Sequence, residues 1–150
     1  MRRIKEAGIL VFSVGTIIAL ALSSLLSCGG NFFATGEMTL TVNPPSVSVT
    51  YNGTNTTSTM EFKTSVQDSE GNAVPGVTVI GRIDSFLLSG GYLTFPDCQG
   101  KTSCSCTTNS VGYCLIRVNY KLGTGINYST DIMFDSGPLV QTVRFEVSDQ

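Results

Sequence analysis

Between Leu40 and Val147 the apolar residues of this chain return at every second position, in one short run after another. Leu40 and Val42, then Val47, Val49 and Tyr51, alternate with Thr and Ser, as one strand interrupted and restarted at Pro44-Pro45. Met60, Phe62, Thr64 and Val66 face one way, while Glu61, Lys63, Ser65 and Gln67 face the other. The pattern repeats at Val77, Val79, Gly81 and Ile83, and again at Cys114, Ile116, Val118 and Tyr120. It recurs at Ile126, Tyr128, Thr130, Ile132 and Phe134, and ends at Val143, Phe145 and Val147. A period of two with one apolar side marks antiparallel strands that have one face on a core and one in water. About seven such strands, separated by Gly, Asn, Asp and Pro turns, predict a β-sandwich. Beyond the N-terminal segment no stretch shows a helical period, so the expected fold class is all-β.

The N-terminus reads as an address. Arg2, Arg3 and Lys5 form a positive region, and no charge follows from Ala7 to Leu26. Leu25-Leu26-Ser27-Cys28 then resembles the lipobox of bacterial lipoproteins. The resemblance implies that 1–27 is a lipoprotein signal peptide and that Cys28 is the lipidated first residue of the mature chain. The alternative is an uncleaved anchor helix, since twenty apolar residues are enough to span a bilayer. Either way the remainder lies outside the cytoplasmic membrane. Gly29 and Gly30 follow Cys28 where an inner-membrane lipoprotein carries aspartate, which implies the outer membrane, on its periplasmic or surface face. Residues 28–37 read as a lipidated tether, and 38–150 as the globular domain.

The body of the chain has a family likeness. The run Val66-Gln-Asp68-Ser-Glu-Gly71-Asn72-Ala-Val74-Pro75-Gly76-Val77-Thr-Val79 resembles the first hairpin of bacterial immunoglobulin-like group 1 domains, the modules of invasin and intimin stalks. Thr108-Asn109-Ser110-Val111-Gly112-Tyr113 resembles their second turn, and Gly123-Thr124-Gly125-Ile126-Asn127-Tyr128 their approach to the penultimate strand. The likeness covers roughly 38–148 and implies a single immunoglobulin-like β-sandwich with an adhesive or structural role. The turn chemistry is legible without the family. Asp68 and Asn72 can bond turn backbone, Gly71 can take positive φ, and Pro75, ahead of Gly76, presets φ before a strand. Two features depart from the family: there is room for one domain rather than a tandem stalk, and the domain contains cysteines.

Those cysteines form a cluster. Cys98, Cys104, Cys106 and Cys114 fall within 17 residues. An even number in an exported chain reads as two disulfides, with three connectivities open. Cys104 and Cys106 point the same way in an extended segment and would be strained if bonded to each other, so each is expected to bond to Cys98 or Cys114. No cysteine falls on the strands at 60–67 or 126–134, so the inter-sheet bond of antibody domains is not expected. The alternative is a thiol-based site that holds metal or electrons. Four-cysteine zinc sites use paired Cys-x-x-Cys knuckles, and the spacing Cys-x5-Cys-x-Cys-x7-Cys does not match, so no metal or other cofactor is expected.

Charge and composition exclude other classes. Arg2, Arg3, Lys5 and Glu6 belong to the leader, so of nine basic and eleven acidic side chains six and ten remain, a charge of −4. That balance does not suit nucleic acid. The chain has no histidine, which removes imidazole acid–base chemistry and His-based triads. Asp68, Glu70 and Asn72 have the look of a calcium loop but lack the glutamate at its twelfth position. Tyr92, Phe95 and Tyr113 lie near the cysteine loop and offer two placements, a sticky aromatic tip for a partner or packing beneath the loop. The sequence thus points to a non-enzymatic envelope lipoprotein that binds a protein or glycan partner or supports a larger assembly, with a periplasmic thiol factor as the alternative.

Overall fold

The computed structural model describes residues 37–150; the proposed leader, the lipidation site Cys28 and the tether as far as residue 36 lie outside them. Nine strands form two facing sheets. β1 (Thr39–Asn43), β3 (Thr56–Gln67), β7 (Tyr113–Leu122) and β5 (Leu93–Thr94) make a four-stranded sheet in the order β1-β3-β7-β5. β2 (Ser46–Tyr51), β9 (Leu139–Asp149), β8 (Tyr128–Ser136), β4 (Thr78–Arg82) and β6 (Ser103–Thr107) make a five-stranded sheet in the order β2-β9-β8-β4-β6. With β2 and β6 set aside, the first sheet carries the first, second, fifth and fourth strands and the second sheet the third, sixth and seventh. That is the strand arrangement of an immunoglobulin-like sandwich.

The count exceeds the expected seven for two physical reasons. Neither Pro44 nor Pro45 can donate to a ladder, so the first strand ends at Asn43 in one sheet and resumes at Ser46 in the other. There β2 runs parallel to β9, with Val47 opposite Phe145, the one departure from antiparallel pairing among the named strands. β5 and β6 are short, and β6 (Ser-Cys-Ser-Cys-Thr) carries too little aliphatic character to register as a strand in sequence. A one-turn helix also went unforeseen. α1 (Ser85–Ser89) starts where the Asp84 carboxylate accepts the Phe86 amide at 2.7 Å, and it buries Leu87.

The period-two residues meet where the two sheets face each other. Phe62 of β3 stacks on Phe134 of β8 at 5.2 Å and on Phe145 of β9 at 6.5 Å between ring centroids, and Tyr120 of β7 meets Phe145 edge-on at 5.3 Å. Val66, Val79, Ile116, Val118, Ile132 and Val143 complete this layer and are fully enclosed. Thr64, the polar member of its run, is also enclosed; its hydroxyl donates to the Cys114 carbonyl at 3.3 Å. Gly81 faces Ile116 and Phe134, where an added Cβ would lie 3.3 Å from the Ile116 side chain. The alternation therefore translates directly into a core that spans both sheets.

Phe62 touches both partner strands of the opposite sheet, and truncation there leaves a cavity that neither sheet can close alone. Phe62→Ala is expected to cost about 3–5 kcal/mol in chemical denaturation; a loss below about 1 kcal/mol would place the centre of the core elsewhere.

Candidate functional site

The two turns that carry the family likeness are neighbours in space. Asp68 folds the first turn around its carboxylate, which accepts the amides of Glu70 at 2.9 Å and Asn72 at 2.8 Å and the Asn72 side chain at 3.2 Å. Gly71 and Gly76 take positive φ, 82° and 75°, and Pro75 sits exposed between the turn and β4. In the second turn Asn109 accepts the amides of Val111 at 3.0 Å and Tyr113 at 3.3 Å. Gly112 presses against the first turn so closely that a Cβ would lie 2.6 Å from that of Ala73. Thr108, buried, joins them: its hydroxyl donates to the Val74 carbonyl at 2.8 Å and accepts the Val77 amide at 2.9 Å. These residues fasten one end of the sandwich.

At one lateral side the chain does something the turns do not require. After β5 a single 3₁₀ turn (Pro96–Cys98) leaves the four-stranded sheet, and the chain returns as β6 along β4 of the other sheet. Gln99 and Gly100 both take left-handed φ, 51° and 73°, to make that reversal. Cys98 of the turn bonds to Cys104 of β6, with Cα atoms 5.5 Å apart. Cys106 of β6 bonds to Cys114 of β7, with Cα atoms 5.9 Å apart. The pairing thus joins each of the two central cysteines to an outer one, and all four sulfurs are disulfides, none a thiolate. Cys104 and Cys106 point to the same side of β6, inward, while Ser105 between them is exposed.

The cross-sheet link of this domain lies in a different place from that of antibody domains. The Cys106–Cys114 bond does join the two sheets, because β6 belongs to the five-stranded sheet and β7 to the four-stranded one. The strands at 60–67 and 126–134 are free of cysteine as read, but an edge strand takes over the cross-sheet link. Thr64 lies against it, with its hydroxyl 3.2 Å from the Cys114 sulfur. Asp97 in the 3₁₀ turn adds a second tie to the four-stranded sheet through a two-pronged pair with Arg117 of β7, at 2.9 and 3.0 Å.

The three aromatic residues expected near this loop do not form one surface. Phe95 is fully enclosed and packs beneath the loop, so its placement as a partner-binding residue is withdrawn. Tyr113 and Tyr92 are half-buried at opposite ends of β7: Tyr113 begins that ten-residue strand and pairs with Ser65, whereas Tyr92 adjoins Leu93, which pairs with Tyr120. Tyr113 lies under the Lys63 ammonium, 4.2 Å from its ring centroid, and Tyr92 stacks on Tyr128 at 5.4 Å. The Tyr128 hydroxyl, held by the Tyr92 and Lys121 carbonyls, is pushed well above the ordinary phenol value by burial.

A feature absent from the sequence reading lies beside β6. A surface concavity of about 500 Å³ is lined by Ile80, Asp97, Gln99, Lys101, Ser103 and Ser105, with the Cys98–Cys104 bond in its wall. It is open to solvent, with polar and apolar groups together in its lining. Asp97, the carboxylate in its lining, is paired with Arg117, and Asp135 on β8 is paired with Arg82 at 2.7 Å. The arrangement offers a rigid strand edge and an open flank, which suit recognition of a surface.

No protein-family model matches the chain, and no curated protein matches it. Similar solved structures include domains 4 and 5 of the S-layer protein SbsC, at 21% identity and a TM-score of 0.44, covering 75% of this chain and 53% of that one. The N-terminal domain of PorA aligns at 15% identity and a TM-score of 0.41, over 76% of this chain and 98% of that one. PapD-like domain 7 of human CEP192 aligns at 15% identity and a TM-score of 0.38, over 74% and 83%. The chain spans about half the length of the SbsC fragment. The immunoglobulin-like arrangement rests on the strand pairing described above.

Two outcomes follow from these ties. The Cys106–Cys114 bond spans eight positions, and closing so short a loop restricts the unfolded chain by about 2.6 kcal/mol in the chain-entropy view. Cys106→Ser/Cys114→Ser is expected to lose about that much in urea denaturation, whereas unchanged stability would show that the cross-sheet bond is dispensable. Asp68, with its carboxylate held below its usual value first by the Asn72 amide and then by the Asn72 side chain, stabilises the turn when ionised. Its folded value lies below its unfolded one, so this contribution is present at neutral pH and lost as pH falls through the folded value. Asp68→Ala is expected to melt lower than the parent at neutral pH, with the gap closing in acid; a gap independent of pH would contradict this.

Proposed function

We propose that this chain is a non-enzymatic lipoprotein of the bacterial cell envelope, related to the immunoglobulin-like group 1 modules of invasin and intimin, whose stapled domain engages an envelope partner or supports an assembly there. The observation that carries the reading is the covalent fixing of β6. Two bonds hold this short polar strand in place at the edge of a sandwich whose core is filled by aromatic and aliphatic side chains. A strand edge fixed in this way presents backbone donors and acceptors to a partner strand at little further entropic cost.

The leader supplies the location. A basic start, an uncharged run and Cys28 after Leu25-Leu26-Ser27 support export and acylation. Gly29-Gly30 after the cysteine supports the outer membrane as the destination, with the tether to residue 37 holding the sandwich close to the bilayer. Disulfides are at home in that oxidising compartment. With no histidine in the chain and the Asp97 carboxylate that lines the concavity already paired with Arg117, the edge is equipped to bind rather than to catalyse.

The test is an intact mass of the protein extracted from native membranes, with thiols alkylated before and after reduction. The expected result is a chain that starts at Cys28 with added acyl mass and has four cysteines alkylated only after reduction. A retained N-terminus would overturn the lipid anchor, and cysteines alkylated without reduction would favour the thiol factor.

A further inference from the structure

The pairing register determines which backbone groups of β6 face outward. Thr108 donates its amide to Val77 and Ile83 donates to Thr102, so the hydrogen-bonded pairs of this ladder are those that include Gly81 with Cys104 and Val79 with Cys106. Alternation then turns the N–H and C=O groups of Ser103, Ser105 and Thr107 away from β4, along the free edge of the five-stranded sheet. From Ser103 to Asn109 there is no charge, no proline and no glycine, the residues that commonly guard an open edge. The other edges differ: β5 is two residues long, and on the opposite side the uncharged β1 and β2 are joined by the Pro44-Pro45 crossing between sheets. The concavity along β6 shows that its own loop does not fill the flank.

We infer that β6 pairs with β6 of a second copy of this chain, antiparallel about a two-fold axis at Ser105. This centring opposes Ser105 to its own copy and Ser103 to Thr107, so all three outward residues find hydrogen-bonded partners at once. A two-fold pairing places like residues together, which a charged strand opposes by self-repulsion and this neutral one does not. The exposed side chains are hydroxyls, small enough to sit beside one another across the seam. The two disulfides keep the edge ordered before association, and a shared membrane raises the effective concentration of two tethered copies. The result is a ten-stranded sheet shared by two sandwiches. The inference rests on β6 as the binding edge and names the partner as the chain itself.

The test is sedimentation equilibrium of the full chain in detergent, with Ser105→Pro and Ser105→Lys as variants. Ser105→Pro removes an outward amide and leaves the bonds of Cys104 and Cys106 to β4 in place; Ser105→Lys brings two like charges together at the axis. The parent is expected to dimerise, and each variant to raise the dimer dissociation constant at least about tenfold while keeping the parent's circular-dichroism spectrum. A parent that stays monomeric, or a dimer insensitive to the folded variants, overturns self-pairing. If the proline variant fails to fold, the lysine variant decides alone. Neither overturning result changes the intact mass, so failure here is distinguishable from failure of the lipoprotein reading.

Discussion

Where β6 faces the start of β7, the two sheets of this sandwich are held together by a covalent bond as well as by packing. Cys106 on β6 reaches across to Cys114 on β7, and Thr64 of β3 lies against the sulfur of Cys114. A five-residue strand of serines, cysteines and a threonine has little apolar surface with which to earn its place in a sheet. The bonds to Cys98 and Cys114 replace that missing burial. Fixed on one side by β4 and through its inward side chains by two sulfur bridges, β6 becomes a rigid border with Ser105 on its outer side. The surface concavity, the left-handed reversal at Gln99-Gly100 and the Asp97–Arg117 pair are all arranged around it.

The turns beside that bond are held by hydrogen bonds instead. Asp68, Asn72, Thr108 and Asn109 satisfy turn backbone with side-chain oxygens and amides, and Gly112 allows the two turns to touch. The residues that carry the resemblance to group 1 domains are therefore a contiguous structural unit. They hold the β3–β4 and β6–β7 connections together, which positions β6 at one end while the disulfides position it along its length.

Much of this was legible in the sequence. Every long strand announced itself, because Phe62, Ile116, Phe134 and Phe145 sit two apart from other apolar residues on a face that is buried in the structure. The break at Pro44-Pro45 was visible, but not that the halves enter different sheets, since a period of two reports a face and not a neighbour. β6 was invisible for the same reason that it needs staples: Ser-Cys-Ser-Cys-Thr has alternation without hydrophobic contrast. The cysteine partners were narrowed by geometry to one inner and one outer residue each, and the structure selected Cys98–Cys104 and Cys106–Cys114. Phe95 and Tyr113 show the limit most clearly. They are close to the cysteines in sequence, yet one is interior and the other caps the far end of β7 from Tyr92, a distinction that depends on strand length and pairing.

The central claim is that the disulfides, rather than burial, hold β6 against the rest of the sandwich. Amide hydrogen exchange on the oxidised and reduced domain tests this most directly. Reduction should speed exchange across 78–82 and 103–107 while the β3–β7 and β8–β9 ladders keep their protection. Equal protection of β6 in both forms, or loss of protection throughout the domain at once, would contradict the account.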